Sequence, residues 1–222
     1  RTQQEAYAAQ SHARALTHQT TISHEIVPIL NVAHDAYPRQ IDLARAARMP
    51  VVARTDLPDD DGPYELSALT ISAQADGAAF VLLVSPQACR AFQLMPKMKW
   101  LAHASVGCAP ETPLLAAQVA AQKAMRLAGL THTETLAHVE LHDAFAVQGL
   151  SFADNLGLRK DQLNVRGGGL CRGHPIGASA AVALVRLVAD LANSPTANAK
   201  GLVAVAGAGG LGSAAVLASL AL

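Results

Sequence analysis

The sequence contains few aromatic residues and no excess of charge of either sign. Only 4% of its 222 residues are Phe, Trp or Tyr, and 17 Lys and Arg are balanced by 17 Asp and Glu. Proteins that bind nucleic acids usually present a basic surface and aromatic side chains on which bases stack. The composition therefore argues against nucleic-acid binding.

Cysteine is also scarce, and the spacing of the cysteines does not match a metal site. Cys89, Cys108 and Cys171 form no Cys-x-x-Cys pair, which argues against a zinc site. An odd number of cysteines fits a reducing compartment such as the cytoplasm better than a disulfide-stapled fold. The first ten residues are polar and do not resemble the apolar part of a signal peptide.

One uncharged stretch, residues 201–222, is long enough to cross a bilayer. It contains five glycines, four of them between Gly207 and Gly212. Glycines clustered in this way are typical of a tight turn between two short buried strands. The sequence therefore predicts two strands here and no membrane span.

Apolar residues make up 51% of the chain, enough for a sizeable core, and their spacing alternates between strand-like and helix-like. Helices are predicted over residues 1–20, 87–94, 113–128, 143–156 and 178–192. Strands are predicted over residues 78–84, 100–106, 138–142, 200–206 and 213–220. The Asp-Asp-Asp-Gly-Pro run at residues 59–63 predicts a solvated loop. Strands that alternate with helices indicate an α/β fold.

The stretch Gly-Gly-Gly-Leu-Cys-Arg-Gly-His-Pro-Ile-Gly-Ala at residues 167–178 places His174 after a glycine loop and before a predicted helix. A histidine near a helix start is suited to acid–base catalysis or to donating a hydrogen bond to an oxyanion. The alternative is a histidine in a turn that only leads into the helix. Cys171 is the cysteine nearest to His174 in sequence, and a nucleophilic role for it is a further, less favoured alternative.

A second group of candidate residues lies on the predicted strand at 138–142. His138, Glu140 and His142 alternate, so their side chains share one face of the strand and could bind a metal. No further ligand is evident nearby. The competing interpretation uses His142 alone, at the strand end, where sites concentrate in α/β folds.

The third candidate is the run Gly-Ala-Gly-Gly-Leu-Gly at residues 207–212, which matches the Gly-x-Gly-x-x-Gly dinucleotide pattern. Only ten residues follow it, too few for the helix, strand and acidic residue of a dinucleotide site. It is instead a turn whose backbone approaches another group closely, and an N–H near Ala208 could point at a developing oxyanion.

Taken together, these motifs resemble the C-terminal half of the thiolase family. The family's Asn-Glu-Ala-Phe or His-Glu-Ala-Phe motif is matched by His-Asp-Ala-Phe at 142–145, which is closest to the His-Asp-Cys-Phe form of sterol-carrier-type thiolases. Its Gly-His-Pro motif is matched at 173–175, and its final glycine-rich motif at 206–212. Residues 4–30 and the Asp-Gly-Ala-Ala at 76–79 also resemble the family, in the same order.

Two departures from the family accompany the resemblance. The half that carries the family's nucleophilic cysteine has no counterpart, so the chain resembles a C-terminal fragment, a processed piece or a separate subunit. The cysteine that exchanges a proton with the substrate α-carbon is replaced by alanine at both places where the family carries it, Ala206 and Ala144.

The resemblance implies a layered α-β-α-β-α thiolase fold. Residues 1–94 would comprise two parts: a loop region that holds coenzyme A, up to about residue 75, and the last elements of the N-terminal domain. Residues 95–222 would form the C-terminal domain. His174 would activate the nucleophile and His142 would orient a water or bind the thioester oxygen. The backbone at Ala208 and Gly209 would complete an oxyanion hole.

The implied function is acyl transfer between coenzyme A thioesters, by 3-ketoacyl-CoA thiolysis or condensation, in lipid metabolism. Acyl-CoA would be a substrate, with no covalently bound cofactor and no metal. The chain would act as a homo-oligomer or in a complex with an N-terminal thiolase half. The alternative is a degenerate, non-catalytic thiolase-like protein that binds acyl-CoA or a partner.

Overall fold

The computed structural model describes residues 1–55 and 64–220. The predicted acidic loop at 59–63 lies outside them. The helices are α1 (Thr2–Thr17), α2 (Gln19–Ser23), α3 (Leu43–Ala46), α4 (Pro86–Ala91), α5 (Ala116–Leu127), α6 (Ala146–Leu156), α7 (Gly169–Arg172) and α8 (Ser179–Ala192). The strands are β1 (Val51–Thr55), β2 (Tyr64–Ser67), β3 (Met98–Gly107), β4 (Leu136–Leu141), β5 (Lys200–Gly207) and β6 (Leu211–Ser219).

The chain divides into two compact units by its internal contacts. The first unit comprises residues 1–76, 143–151 and 164–176, and the second comprises residues 77–142, 152–163 and 177–222.

A small apolar cluster lies at the centre of the first unit. It joins Ala8 of α1 to Ala46 of α3 and Leu170 of α7, together with Leu69 and Ala146. β1 and β2 form a two-stranded antiparallel sheet in which every β1 residue is exposed. Among the described residues of this unit, the apolar cluster is small.

The second unit is built on a four-stranded mixed sheet in the order β3-β6-β5-β4. β4 and β5 are parallel, and the other two pairs are antiparallel. Along β5, Leu202 and Ala204 pack in one apolar cluster with α5, whereas Val203 packs in another with α8. Because successive side chains of a strand point to opposite faces, α5 and α8 cover opposite faces of the sheet. The predicted α/β class is confirmed.

The predicted helix at residues 113–128 begins as a 3₁₀ turn, Pro113–Leu115, and continues as α5. Its alanine stripe is fully buried, at Ala117, Ala120, Ala121 and Ala124. The same apolar spacing predicts that Leu127 is buried, and this is wrong, because that side chain is 63% exposed. A stripe that advances 3.6 residues per turn reaches position 128, and Ala128 is the residue that packs against the core.

The prediction of a buried strand at residues 78–84 was also wrong. The segment forms no strand, and Phe80, Leu82 and Leu83 are 92%, 77% and 68% exposed. A strand needs a neighbour to satisfy its backbone hydrogen bonds. Within residues 1–55 and 64–220, no strand pairs with this segment.

The strands predicted at 200–206 and 213–220 are observed as β5 and β6, an antiparallel hairpin closed by residues 208–210. In the parts of the chain that the structure describes, no helix has the length and apolar character needed to cross a membrane.

Candidate active site

His174 lies in the first unit, directly after a glycine-rich loop formed by residues 167–173. Gly173 has φ of +90°, and a Cβ there would lie 2.8 Å from the Cβ of Ala75, so the position requires glycine. The backbone N–H of His174 donates to the carbonyl oxygen of Ala73 at 2.7 Å. The N–H of Ala75 donates back to the carbonyl oxygen of His174 at 3.4 Å. This pairing fixes the backbone of His174 beside residues 73–75.

The His174 side chain is partly buried, which lowers the pKa of its imidazole below the ordinary value of 6.5. A lowered pKa keeps the ring neutral at neutral pH. A neutral imidazole can accept a proton from a thiol, as a general base must.

Cys171 lies inside the same glycine-rich loop but is only 1% exposed. Its Sγ donates a hydrogen bond to the carbonyl oxygen of Gly168 at 3.2 Å. A buried thiol bonded to its own loop is suited to structure, since a nucleophilic cysteine needs access to its substrate. The geometry favours a structural role for Cys171 over the nucleophilic alternative.

His142 lies in the second unit, directly after β4, and is 2% exposed. Its backbone N–H donates to the carbonyl oxygen of Ala204 in β5 at 3.1 Å, which extends the parallel pairing of β4 and β5. His142 therefore lies at the carboxyl edge of these strands. In the described part of the chain, no group of three or more His, Cys, Asp or Glu residues could hold a metal, and this includes the alternating His138, Glu140 and His142.

The glycine-rich turn at 207–212 follows β5 at the same edge of the sheet. Gly209 and Gly210 have φ of +77° and +82°, and the carbonyl oxygen of Gly210 accepts a hydrogen bond from the N–H of Cys108 at 2.8 Å. Ala208 and Gly209 at the tip are exposed. Their backbone is thus accessible to a ligand, as an oxyanion role requires.

The predicted site residues divide between the two units. His142, Ala208 and Gly209 belong to the second unit, where the parallel strands bring them to one edge of the sheet. His174 belongs to the first unit. Their assignment to one catalytic site stays a prediction.

Methyl groups occupy both places where the resemblance would put a proton-transferring cysteine. Ala206 pairs in register with Gly212, next to the glycine-rich turn. The backbone of Ala144 is hydrogen-bonded on both sides, because its N–H donates to Oε1 of Gln148 at 2.9 Å and its carbonyl oxygen accepts from the N–H of Ser72 at 2.8 Å. An alanine side chain cannot exchange a proton with a substrate carbon.

Sequence reasoning missed the polar side chains that support the glycine-rich loop. Asp143 is fully buried and accepts hydrogen bonds from Oη of Tyr7 at 3.0 Å and from the backbone N–H of Gly169. Ser72 Oγ donates to the carbonyl oxygen of Gly169 at 2.7 Å. An acidic residue at a strand-to-helix turn was the signal available for Asp143, whereas the positions of Tyr7 and Ser72 gave no local sign of this contact.

Comparison with known proteins identifies a family over the second half of the chain. The family described as "Thiolase, C-terminal domain" matches residues 94–219. This range contains three of the candidate motifs, at 142–145, 173–175 and 206–212.

Curated relatives match the chain over most of its length. An acetyl-CoA acetyltransferase from Chromobacterium violaceum is 34% identical over 96% of this chain and 55% of its own length. A 3-ketoacyl-CoA thiolase from Vibrio cholerae is 35% identical over 81% of this chain and 48% of its own length. The chain thus spans about half the length of the curated relatives it matches.

Solved structures agree on the fold. The Acat5 thiolase from Ascaris suum in complex with coenzyme A has a TM-score of 0.81, with 26% identity over 98% of this chain and 56% of that protein. The acetyl-CoA acetyltransferase of Bacillus anthracis has a TM-score of 0.86 at 24% identity, over 99% of this chain and 56% of that protein. The expected thiolase-like fold is confirmed.

Proposed function

The chain belongs to the thiolase family, and we propose that it forms the C-terminal part of an acyl-CoA acyltransferase whose nucleophilic cysteine lies in another polypeptide segment. Acyl-CoA is its substrate, and the reaction is transfer of the acyl group between thioesters, the step that 3-ketoacyl-CoA thiolysis and condensation in lipid metabolism share. The observation that carries the proposal is His174, a partly buried imidazole with a lowered pKa in a glycine-rich loop.

In the proposed reaction, His174 accepts the proton of the cysteine thiol as its sulfur attacks the thioester carbonyl. The S–C bond to the cysteine forms, the bond to coenzyme A breaks, and the coenzyme A sulfur leaves as a thiol by taking up the proton. His142 and the backbone N–H groups of Ala208 and Gly209 stabilise the oxyanions of the two thioester steps.

The proposed division of the chain is supported by the family match, which covers residues 94–219. Residues 95–222 are the C-terminal thiolase domain. Residues 1–94 comprise the loop region that contacts coenzyme A, up to about residue 75, and the last elements of the N-terminal domain. The compartment is reducing, such as the cytoplasm.

The proposed partner is a polypeptide that supplies the N-terminal thiolase half. Homo-oligomers of this chain are also part of the proposal. Two observations support it. The chain spans about half the length of its relatives, and the exposed apolar run that contains Phe80, Leu82 and Leu83 pairs with no strand among the described residues. A strand from that polypeptide would satisfy this backbone and cover these side chains.

A second candidate function is a non-catalytic thiolase-like subunit that binds acyl-CoA. Ala206 and Ala144 favour it, because removal of a proton from a substrate α-carbon needs a base that neither alanine supplies. Acyl transfer to and from a cysteine does not need that base. An assembly with partial chemistry, acyl transfer without carbon–carbon bond formation, is therefore compatible with these substitutions.

The test is to determine the mass of the native polypeptide and its copurifying chains, and to assay the purified assembly with acetoacetyl-CoA and free coenzyme A. An acyl-cysteine adduct on the N-terminal half, detected by mass spectrometry, is the expected result. The isolated 222-residue chain should show no thiolysis. Thiolysis by the isolated chain that is lost in Cys171→Ser would make Cys171 the nucleophile and overturn the proposal.

A further inference from the structure

Among the described residues of the first unit, the carboxylate of Asp143 is the most completely buried charged group, at 0% exposure. It follows His142 in the sequence, but the proposed reaction gives it no task. Its oxygens accept hydrogen bonds from Oη of Tyr7, on α1, and from the backbone N–H of Gly169, the first residue of α7. Asp143 thus joins α1 to the glycine-rich loop at 167–173.

The loop is shaped around this carboxylate. A Cβ at Gly168 would overlap both oxygens of Asp143 and Nδ2 of Asn164, so a larger residue there would force these buried groups to shift. Ser72 fixes the carbonyl group of the next residue, Gly169, because its Oγ donates to the carbonyl oxygen of Gly169 at 2.7 Å. Gly169 is therefore fixed through both its N–H and its carbonyl group.

The same loop leads directly to His174. The N–H of Gly173 donates to the carbonyl oxygen of Gly169 at 2.8 Å, which closes the turn of α7. The next residue, His174, pairs with Ala73 and Ala75. Residues 169–173, a turn closed by this hydrogen bond, therefore connect the residue that Asp143 binds to His174.

The electrostatics of the cluster keep the Tyr7 hydroxyl protonated beside Asp143. Burial raises the pKa of Asp143 above its ordinary value, and the charge of Arg172 and the hydrogen bonds from Tyr7 and Gly169 oppose that rise. Burial and the adjacent carboxylate raise the pKa of the Tyr7 phenol well above its ordinary value of 10.0. Tyr7 consequently remains a donor.

We propose that Asp143 is a positioning residue, whose carboxylate holds the 167–173 loop through Gly169 in the conformation that presents His174 to the substrate. The proposal rests on the proposed function, since it takes His174 to be a reacting group. It adds a role for Asp143 that acts through the loop, without contact between the carboxylate and the substrate.

The test uses Asp143→Asn in the active assembly of this chain with the nucleophile-bearing half. The change keeps the side-chain volume but removes one acceptor and the charge. We expect kcat to fall by about 10- to 100-fold, because a displacement of about 1 Å at a reacting group can cost two orders of magnitude. KM should change by less than about twofold, since acyl-CoA does not contact the carboxylate. Asp154→Asn, at an exposed position on α6, is the matched control and should leave both constants unchanged.

Tyr7→Phe is the second variant, and it removes only the phenol hydroxyl. It should also lower kcat, but by less than Asp143→Asn does, because Gly169 still donates to the carboxylate. If Asp143→Asn fails to fold, Tyr7→Phe decides the question. Unchanged kcat in a folded Tyr7→Phe or Asp143→Asn assembly would overturn the proposal.

A readout that does not depend on activity separates this proposal from the proposed function. NMR of ¹³C-labelled histidine should show that Asp143→Asn shifts the His174 ring signals and raises the pKa of the imidazole toward its ordinary value, because a looser loop lets water reach the ring. If the wild-type assembly is inactive, the proposed function fails, and the His174 signals still test the positioning role. A lower melting temperature with unchanged His174 signals and pKa would reduce Asp143 to a structural role and overturn the proposal.

Discussion

The two units of the molecule hold their candidate residues by opposite means. In the first unit, His174 follows a loop whose buried partners are polar, with Asp143 and Ser72 bonded to the same glycine. In the second unit, the strand that precedes His142 packs in an apolar core of leucines, valines and alanines on a four-stranded sheet. The first arrangement depends on a few directional bonds, and the second on area buried from water. The two should therefore fail differently when they are changed.

The largest effect is expected at the imidazole of the first unit. His174→Asn in the active assembly should lower turnover by about 10²–10⁴-fold, the usual range for a lost acid–base group. The melting temperature should move little, because the backbone pairing of residue 174 with Ala73 and Ala75 does not involve the ring. Steady-state kinetics and thermal unfolding are measured on the same preparation. His132→Asn, at an exposed position, is the control.

A large loss of stability with unchanged turnover in His174→Asn would assign the ring to the fold. The contrast would then be lost, since the candidate residue of the first unit would serve stability and not the reaction.

The second effect tests the apolar core of the second unit. Leu202→Ala should lower the free energy of unfolding by about 2–5 kcal/mol, because Leu202 is fully buried on β5 and its removal leaves a cavity. Leu127→Ala on α5 should change it by less than about 0.5 kcal/mol, because that side chain is 63% exposed. Urea unfolding followed by circular dichroism measures both. Equal losses would show that the sheet does not carry the stability of this unit.

The third effect tests the backbone of the first unit. Gly173→Ala should destabilise the protein by about 1–3 kcal/mol, because φ is +90° and the added Cβ would lie 2.8 Å from that of Ala75. Turnover in the active assembly should fall as well, since His174 is the next residue. Gly177→Ala is the control, because a Cβ there meets nothing within 4 Å. If Gly173→Ala matched this control in stability and turnover, the loop would not be a rigid support.

The contrast between the units also explains what the sequence could predict. The alanine stripe of α5 and the strands β5 and β6 follow from apolar periodicity, which one segment shows by itself. The incorrect prediction of a strand at 78–84 arose from the same signal. An apolar run indicates burial but does not identify the element that would bury it. Phe80 remains 92% exposed in the described structure.

Within the candidate site, short sequence motifs could be recognised, whereas hydrogen bonds between distant residues could not. His174 and His142 could be found because their neighbours form short local patterns. Tyr7 and Asp143 could not be paired from sequence, since 136 residues separate them and a single hydrogen bond leaves no periodic signal. The glycine-rich loop was predicted, but the carboxylate that lies against its glycine at position 168 was not.

The smallest effect concerns a buried histidine of the first unit. His12 on α1 is 1% exposed, and its Nδ1 accepts a hydrogen bond from the backbone N–H of Arg39 at 3.4 Å. Burial, together with the charge of Arg39, lowers the pKa of its imidazole from 6.5 to about 4. Because the unfolded chain binds this proton at higher pH than the folded protein does, stability is fully present above about pH 6.5 and declines as pH falls toward 4.

The variant His12→Gln keeps a side-chain acceptor but cannot titrate, so it should remove this part of the pH dependence. Between pH 7 and pH 5 the wild type should lose about 1 kcal/mol more stability than the variant, allowing for screening by solvent. Urea unfolding at both pH values measures the difference. His34→Gln, at an exposed position in the same unit, should behave as the wild type. An identical pH dependence in His12→Gln and the wild type would mean that His12 takes up its proton without opposing the fold, and the first unit would tolerate a buried charge that its polar contacts are expected to exclude.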